Sequence, residues 1–97
     1  MKGRKLLIAD QAQEDLLDTW LYIASDSPLA ADAFLDLLHD KCVSLCASPE
    51  IGRARDELLV GLRCLPVKRY TIFYRVKPSA LEIVRVLSGY RDSASMF

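Results

Sequence analysis

Hydrophobic residues recur at helical spacing through the first half of the chain. In the first segment Asp10 offers an N-cap carboxylate and Gln13 follows three residues later, which predicts a weak capping box. The segment ends near Ser25 and Asp26. It is predicted to be an amphipathic helix with Ala12, Leu16, Leu17, Trp20, Ile23 and Ala24 on its apolar face and Glu14, Asp15, Asp18 and Tyr22 on its polar face.

A second helix is predicted to begin at Ser27 and Pro28 and to run to about Ala47. Ser27 can accept from the first-turn amides, and Pro28 loses no hydrogen bond at the first helical position. Ser48 and Pro49 then end the helix. Two helices joined by so few residues must lie antiparallel as a hairpin. The apolar face of the second helix is predicted to carry Ala31, Phe34, Leu35, Leu38, Cys42 and Leu45.

The remaining segments have the pattern of strands, with an exposed loop at residues 51–61 that contains one helical turn at Leu58 and Leu59. A short strand precedes the first helix, and three follow the loop. The order β-α-α-β-β-β predicts an α/β (α+β) fold: a mixed, mostly antiparallel sheet packed against an N-terminal helical hairpin, in one domain over residues 1–97. The strands are expected at Lys5–Ala9, Leu62–Pro66, Tyr70–Val76 and Leu81–Leu87.

Charge changes this picture because it is distributed unevenly. The 97 residues carry 13 Lys and Arg and 13 Asp and Glu, so the net charge is zero. Residues 1–50 nevertheless have a balance of −5, and residues 51–97 a balance of +5. Either the two halves present different faces to different partners, or they pair with each other across the fold.

The termini and cysteines indicate where the protein acts. Only four apolar residues follow the basic start of the chain, which is too short for a signal-peptide core, and no later run approaches the length of a membrane span. Cys42, Cys46 and Cys64 form no C-x-x-C pattern and are interpreted as buried core residues. We therefore expect a cytoplasmic protein without membrane contact.

Six ordered motifs together resemble the ParE branch of the RelE/ParE toxin superfamily, over about residues 5–92. Each motif alone indicates only a fold, and the ordered set is specific. They are Ala12-x-x-Asp15-Leu16, Tyr22-Ile23-Ala24, Ser27-Pro28-x-Ala30-Ala31 with Phe34, Ser48-Pro49-x-x-Gly52-Arg53, Tyr70-x-Ile72-Phe73-Tyr74-Arg75 and Glu82-Ile83-Val84-Arg85-Val86-Leu87-x-Gly89-x-Arg91-Asp92.

This resemblance implies the toxin of a type II toxin–antitoxin pair that poisons DNA gyrase. It also implies a ParD-like antitoxin, a ribbon-helix-helix protein whose amphipathic C-terminal segment wraps around the toxin. No cofactor and no sequence-specific binding of nucleic acid by the toxin itself are expected. One alternative is a RelE-like, ribosome-dependent mRNA endonuclease, and another is a protein-binding module without a toxic target.

The chemistry of single residues bears on these alternatives. His39 is the only histidine and is interpreted as a solvated surface residue of the second helix. Many toxins of the superfamily have histidine just before Gly89, and here that residue is Ser88, whose hydroxyl is a poor general base without an activating neighbour. Tyr70, Phe73 and Tyr74 could stack RNA bases, but strand alternation favours a place in the core for at least some of them. A nuclease that depends on imidazole is therefore disfavoured.

Other members cleave RNA with Lys, Arg and Tyr, so the basic half remains the candidate site. The zero net charge and the five lysines favour gyrase over a ribosomal target. The tail from Ser93 to Phe97 is expected to be open for target contact. Arg85 alternatively pairs with Glu82 or Asp92. No catalytic or metal-binding residue is assigned, and the candidate residues for target or antitoxin binding are Arg53, Arg55, Arg63, Arg85, Tyr90 and Arg91.

Overall fold

Two helices and a five-stranded sheet account for most of the residues that the computed structural model describes, which are 4–89 and 96–97. No helix in this part of the chain is both long and apolar enough to span a bilayer. In chain order the elements are β1 Lys5–Ile8, α1 Asp10–Ala24, α2 Pro28–Ala47, a 3-10 turn Pro49–Ile51, β2 Arg53–Ala54, β3 Leu62–Val67, β4 Tyr70–Val76 and β5 Ala80–Ser88.

The sheet has the strand order β1-β5-β4-β3-β2, with β1 parallel to β5 and the other neighbours antiparallel. This confirms the predicted mixed sheet beside a helical hairpin. Strand β2 was not predicted, because two residues show no periodicity. Arg53 and Ala54 nevertheless pair with Cys64 and Arg63 in a segment that was expected to be a loop.

The starts of the two helices differ in how well the sequence predicted them. The Ser27 hydroxyl accepts from the Ala30 amide at 3.2 Å with Pro28 in the first turn, which confirms that cap. The predicted Asp10 cap is wrong. Asp10 is itself helical, and the cap position is held by Ala9, whose side chain has no acceptor. The Ala9 amide donates to Ile83 O, so the one residue between β1 and α1 still belongs to the sheet hydrogen bonding.

The main core lies between the hairpin and one face of the sheet. All six predicted inner residues of α2 are buried or partly buried, and four of them, Phe34, Leu38, Cys42 and Leu45, belong to this core. Trp20 Nε1 joins the two helices by donating to Asp32 Oδ1 at 2.8 Å. The predicted faces of α1 are partly wrong. Leu17 is 58% exposed, whereas Asp15 is only 8% exposed and Thr19 is buried. The reason is that α1 crosses the end of β5 and turns its Asp15 side toward the sheet.

A second, smaller core covers the opposite face of the sheet. Leu62, Cys64, Phe73 and Leu87 form it, and side chains from outside the strands pack over them. Phe97 is one of these, with its ring centroid 5.1 Å from that of Phe73. The expectation of an open tail is therefore wrong for Met96 and Phe97, which are half-buried, while Ser93–Ser95 lie outside the described residues. Because both faces are covered, neighbouring Phe73 and Tyr74 are both core residues.

Candidate functional site

A groove of about 740 Å³ runs between α1 and the end of β5. Helix α1 contributes one wall, and the turn into β4 and the last residues of β5 contribute the other. Ser88, which stands where relatives are expected to have histidine, lies in this groove. The groove is lined by Gln11, Asp15, Asp18, Thr19, Tyr22, Arg69, Tyr70, Arg85, Val86, Leu87 and Ser88.

A largely buried ion pair closes one side of this groove. Arg85 donates through Nε and a terminal nitrogen to the two carboxylate oxygens of Asp15, at 2.7 and 3.0 Å. The Val86 amide donates to the same carboxylate at 3.0 Å. The hydrogen bond with Asp15 raises the pKa of Arg85, and burial opposes this effect. Arg85 therefore stays charged, and its charge is neutralised within the fold.

A register shift in the sheet aligns this pair. Between Phe73 and Tyr74 the pairing with β5 moves from Arg85 to Ile83, so Val84 is an extra residue in β5. Such a bulge re-aims the side chains that follow it. Strand β1 pairs only with residues 80–83 of β5, and the Val86 amide beyond that point has Asp15 as its acceptor.

The sequence suggested Glu82 or Asp92 as the partner of Arg85, and the structure shows that Glu82 is not its partner. Glu82 accepts from Arg75 at 3.3 Å and lies 3.5 Å from Lys77 Nζ, so it belongs to a separate cluster. The other suggested partner, Asp92, lies outside the described residues. Asp15 was missed because it was assigned to the solvent face of α1, and only the position of α1 over β5 makes it a partner.

A second polar network holds the start of β2. The Tyr74 hydroxyl donates to Pro49 O at 2.6 Å and accepts from the Gly52 amide at 2.9 Å. Arg63 donates to Gly52 O at 3.0 and 2.7 Å and to Glu50 O at 3.3 Å. Burial raises the pKa of Tyr74, and Arg63 opposes this effect. Any Cβ on Gly52 would overlap the Tyr74 ring and hydroxyl, so this position requires glycine for lack of space.

The candidate arginines fall into two places rather than one site. Arg53, Arg55 and Arg63 lie on or beside β2 and β3, whereas Arg85 lies in the groove beside α1. Arg55 donates to Glu57 at 2.6 Å and its pKa is raised chiefly by that bond. Arg53 is exposed on the edge strand. The predicted Tyr90 and Arg91 fall outside the described residues.

Of the eleven groove residues, sequence reasoning assigned only Arg85 to the candidate site. The other ten come from α1, from the turn before β4, from β4 and from the end of β5, and no local sequence pattern joins them. His39 is exposed on α2, as predicted. Within residues 4–89 and 96–97, no group of three or more His, Cys, Asp and Glu side chains could hold a metal ion.

The sequence has clear relatives. The family described as "ParE toxin of type II toxin-antitoxin system, parDE" matches residues 6–93. Toxin ParE1 of Mycobacterium tuberculosis is 40% identical over 63 residues, which are 64% of this chain and 64% of that protein. Toxin ParE3 of Caulobacter vibrioides is 34% identical over 65 residues, which are 67% of this chain and 65% of that protein. The chain thus spans just under two thirds of the length of these relatives.

Solved structures show the same fold at low sequence identity. The chromosomal ParDE toxin–antitoxin system from P. aeruginosa contains a chain with a TM-score of 0.74 and 20% identity, over 89% of this chain and 96% of that one. The RelBE2 toxin–antitoxin complex from Mycobacterium tuberculosis contains one with a TM-score of 0.63 and 18% identity, over 91% and 93% of the two chains. Both structures therefore contain a chain with the fold of this protein.

Proposed function

The chain belongs to the ParE toxin family of type II toxin–antitoxin systems, and on that premise we propose that it inhibits DNA gyrase and is neutralised by a ParD-like antitoxin. Family membership supports the toxin role and the type of antitoxin. The choice of gyrase over the ribosome rests on the chemistry of the arginines.

The observation that carries this choice is the binding of Arg85 by Asp15. A nuclease needs cations that are free to hold the scissile phosphate and to stabilise charge in the transition state. Arg85 is instead neutralised by a carboxylate, and Arg63 donates to the backbone carbonyls of Gly52 and Glu50. Breaking the Asp15 pair to reach RNA would leave a buried carboxylate without its partner. The contacts of Arg63 and Arg85 therefore suit a structural role better than a catalytic one.

Inhibition by binding makes different demands on the charge. Of the four ion pairs among the described residues, only Asp15–Arg85 joins the acidic half of the chain to the basic half. The basic half therefore keeps most of its charge for a partner, with Arg53 exposed on an edge strand. On the hairpin, Leu17, Leu21 and Leu29 are exposed and offer an apolar surface that suits an amphipathic antitoxin segment.

The experiment is to add the purified protein to gyrase with relaxed and supercoiled plasmid, and separately to a translating extract. We expect loss of supercoiling or accumulation of cleaved plasmid, intact mRNA in the extract, and recovery of gyrase when the cognate antitoxin is added. Cleavage of mRNA in the extract with unchanged gyrase activity would contradict the proposal.

A further inference from the structure

A small apolar cavity lies between the helical hairpin and the sheet. Its volume is about 140 Å³, and it is separate from the groove beside Arg85 except for the shared wall residue Val86. Its lining is aliphatic apart from one thiol and one imidazole. The lining residues are Leu6, Ile8, Leu16, Leu35, Leu38, His39, Cys42, Ile72, Ile83 and Val86.

The burial of these residues shows how the cavity is built. Ile72, Ile83 and Val86 come from β4 and β5 and form a floor that is closed to solvent. Leu38 and Cys42 of α2 are also buried above it. The more exposed lining residues lie on β1 and on the two helices, and His39 is exposed among them. The mouth of the cavity is therefore where β1 meets the hairpin.

We propose that this cavity is a binding site for one small apolar molecule of about the size of benzene. An engineered protein cavity of about 150 Å³ with apolar walls stays dry and takes up benzene or xenon, and a water molecule on the aliphatic floor of this cavity would likewise lack polar partners. The walls gain dispersion contacts that they lack while the cavity is empty. His39 at the rim can stay hydrated and does not oppose an apolar occupant. This inference does not rest on the proposed gyrase activity.

A ligand in this position stabilises the contact between the hairpin and the sheet. It touches α1, α2, β1, β4 and β5 at once, so it binds only the folded arrangement of these elements. Its binding must therefore raise the melting temperature by mass action. At a ligand concentration equal to the Kd, the rise for a domain of this size is about 2–3 °C, and it grows with concentration.

The test is a thermal melt of the wild-type protein with and without benzene near its solubility limit, repeated for two variants on α2. Cys42→Leu places a larger side chain into the cavity. Cys46→Leu makes the same change one turn away, at a buried residue of the same core that does not line the cavity. We expect benzene to raise the melting temperature of the wild type and of Cys46→Leu, each relative to its own melt. We expect no rise for Cys42→Leu.

A benzene effect that is absent in the wild type, or of equal size in Cys42→Leu, would overturn the proposal. If either variant does not fold, crystals of the wild-type protein under xenon pressure give an independent answer. Xenon density between Leu38 and Ile72 supports the site, and its absence there overturns it.

Discussion

At the scale of single residues, Asp15 replaces a backbone partner that the sheet lacks. Strand β1 stops at Ile8, and beyond it the Val86 amide of β5 donates to the Asp15 carboxylate instead of to a neighbouring strand. The same carboxylate holds Arg85 through two bonds. One side chain thus bonds a backbone donor and a largely buried guanidinium, and it connects α1 to the sheet.

We expect Asp15→Ala to lower the free energy of unfolding by about 1–3 kcal/mol, because it removes the partner of the largely buried Arg85 guanidinium and the acceptor of the Val86 amide. Urea denaturation measures the change. Asp18→Ala is the matched control: it lies in the same groove but is exposed, so its effect should stay within about 0.5 kcal/mol. Replacing Arg85 by Met in the Asp15→Ala background should recover part of the loss. Equal effects of the two aspartate substitutions would show that the ion pair does not stabilise the fold.

Cys42 gives a prediction in which pH matters. Burial, with a smaller contribution from Cys46, raises the pKa of the Cys42 thiol from 9.0 to about 11. Two pKa units correspond to a thiolate fraction about 100-fold lower at pH 8, so alkylation in the folded state should be slower by at least about that factor than in urea. Mass spectrometry of the Cys42 peptide measures both rates. Rapid labelling of the folded protein would contradict its place in the core.

The same shift predicts how stability depends on pH. The unfolded thiol loses its proton near pH 9, whereas the folded thiol keeps it to about pH 11. The unfolded state therefore binds fewer protons between these values, and the contribution of Cys42 to stability is complete below pH 9 and falls as the pH rises toward 11. Urea melts across this range should show that decline, and Cys42→Ala should remove the part that is due to the thiol.

At the scale of elements, the sequence predicted the features that depend on neighbouring residues. It did not predict the features that depend on contacts between residues far apart in the chain. Ser27 and Pro28 start α2 through bonds within one turn, so their role was evident from the sequence. The sequence did not show which face of α1 points inward, because Leu17 and Thr19 could equally face the core until the position of the sheet is known. The Asp15–Arg85 pair joins residues 70 apart and depends on a bulge that has no local signal.

The turn before β2 offers a test at this scale. Gly52→Ala should cost about 1–3 kcal/mol, because the added Cβ overlaps the Tyr74 hydroxyl. Tyr74→Phe should cost a similar amount by leaving the Gly52 amide and the Pro49 carbonyl without a partner. The double variant should lose less than the sum, since removing the hydroxyl makes room for the methyl group. Urea melts of the cycle measure this coupling.

Gly61→Ala is the control for that cycle. Gly61 has φ +80 with open space around it, so alanine there costs about 1–2 kcal/mol through backbone strain alone. Its effect should add to that of Tyr74→Phe. Additivity in the Gly52 cycle as well would mean that close approach to Tyr74 is not the reason for glycine at position 52.

At the scale of the whole molecule, the uneven charge is best explained by two separate faces. The two helices carry seven of the 13 acidic residues and one basic residue, Lys41, whereas the strands carry five basic residues and one acidic residue, Glu82. Pairing across the fold was the alternative, and among the described residues a single ion pair joins the two halves. A basic surface left unneutralised in this way suits inhibition by contact, in which several arginines each contribute a part.

The most direct test of gyrase inhibition is to map DNA breaks and mRNA cuts in the same cells after expression of the wild-type chain, Arg53→Gln and Tyr90→Phe. The account predicts DNA breaks that depend on gyrase and intact mRNA. Arg53→Gln should weaken toxicity only in part, by about 1–2 kcal/mol if the guanidinium makes one charge-assisted bond. Cells that express Tyr90→Phe should still show gyrase-dependent DNA breaks, because no single residue acts as a catalyst. Codon-specific mRNA cuts that disappear in Tyr90→Phe, without gyrase-dependent breaks, would contradict the account and identify a ribosome-dependent nuclease.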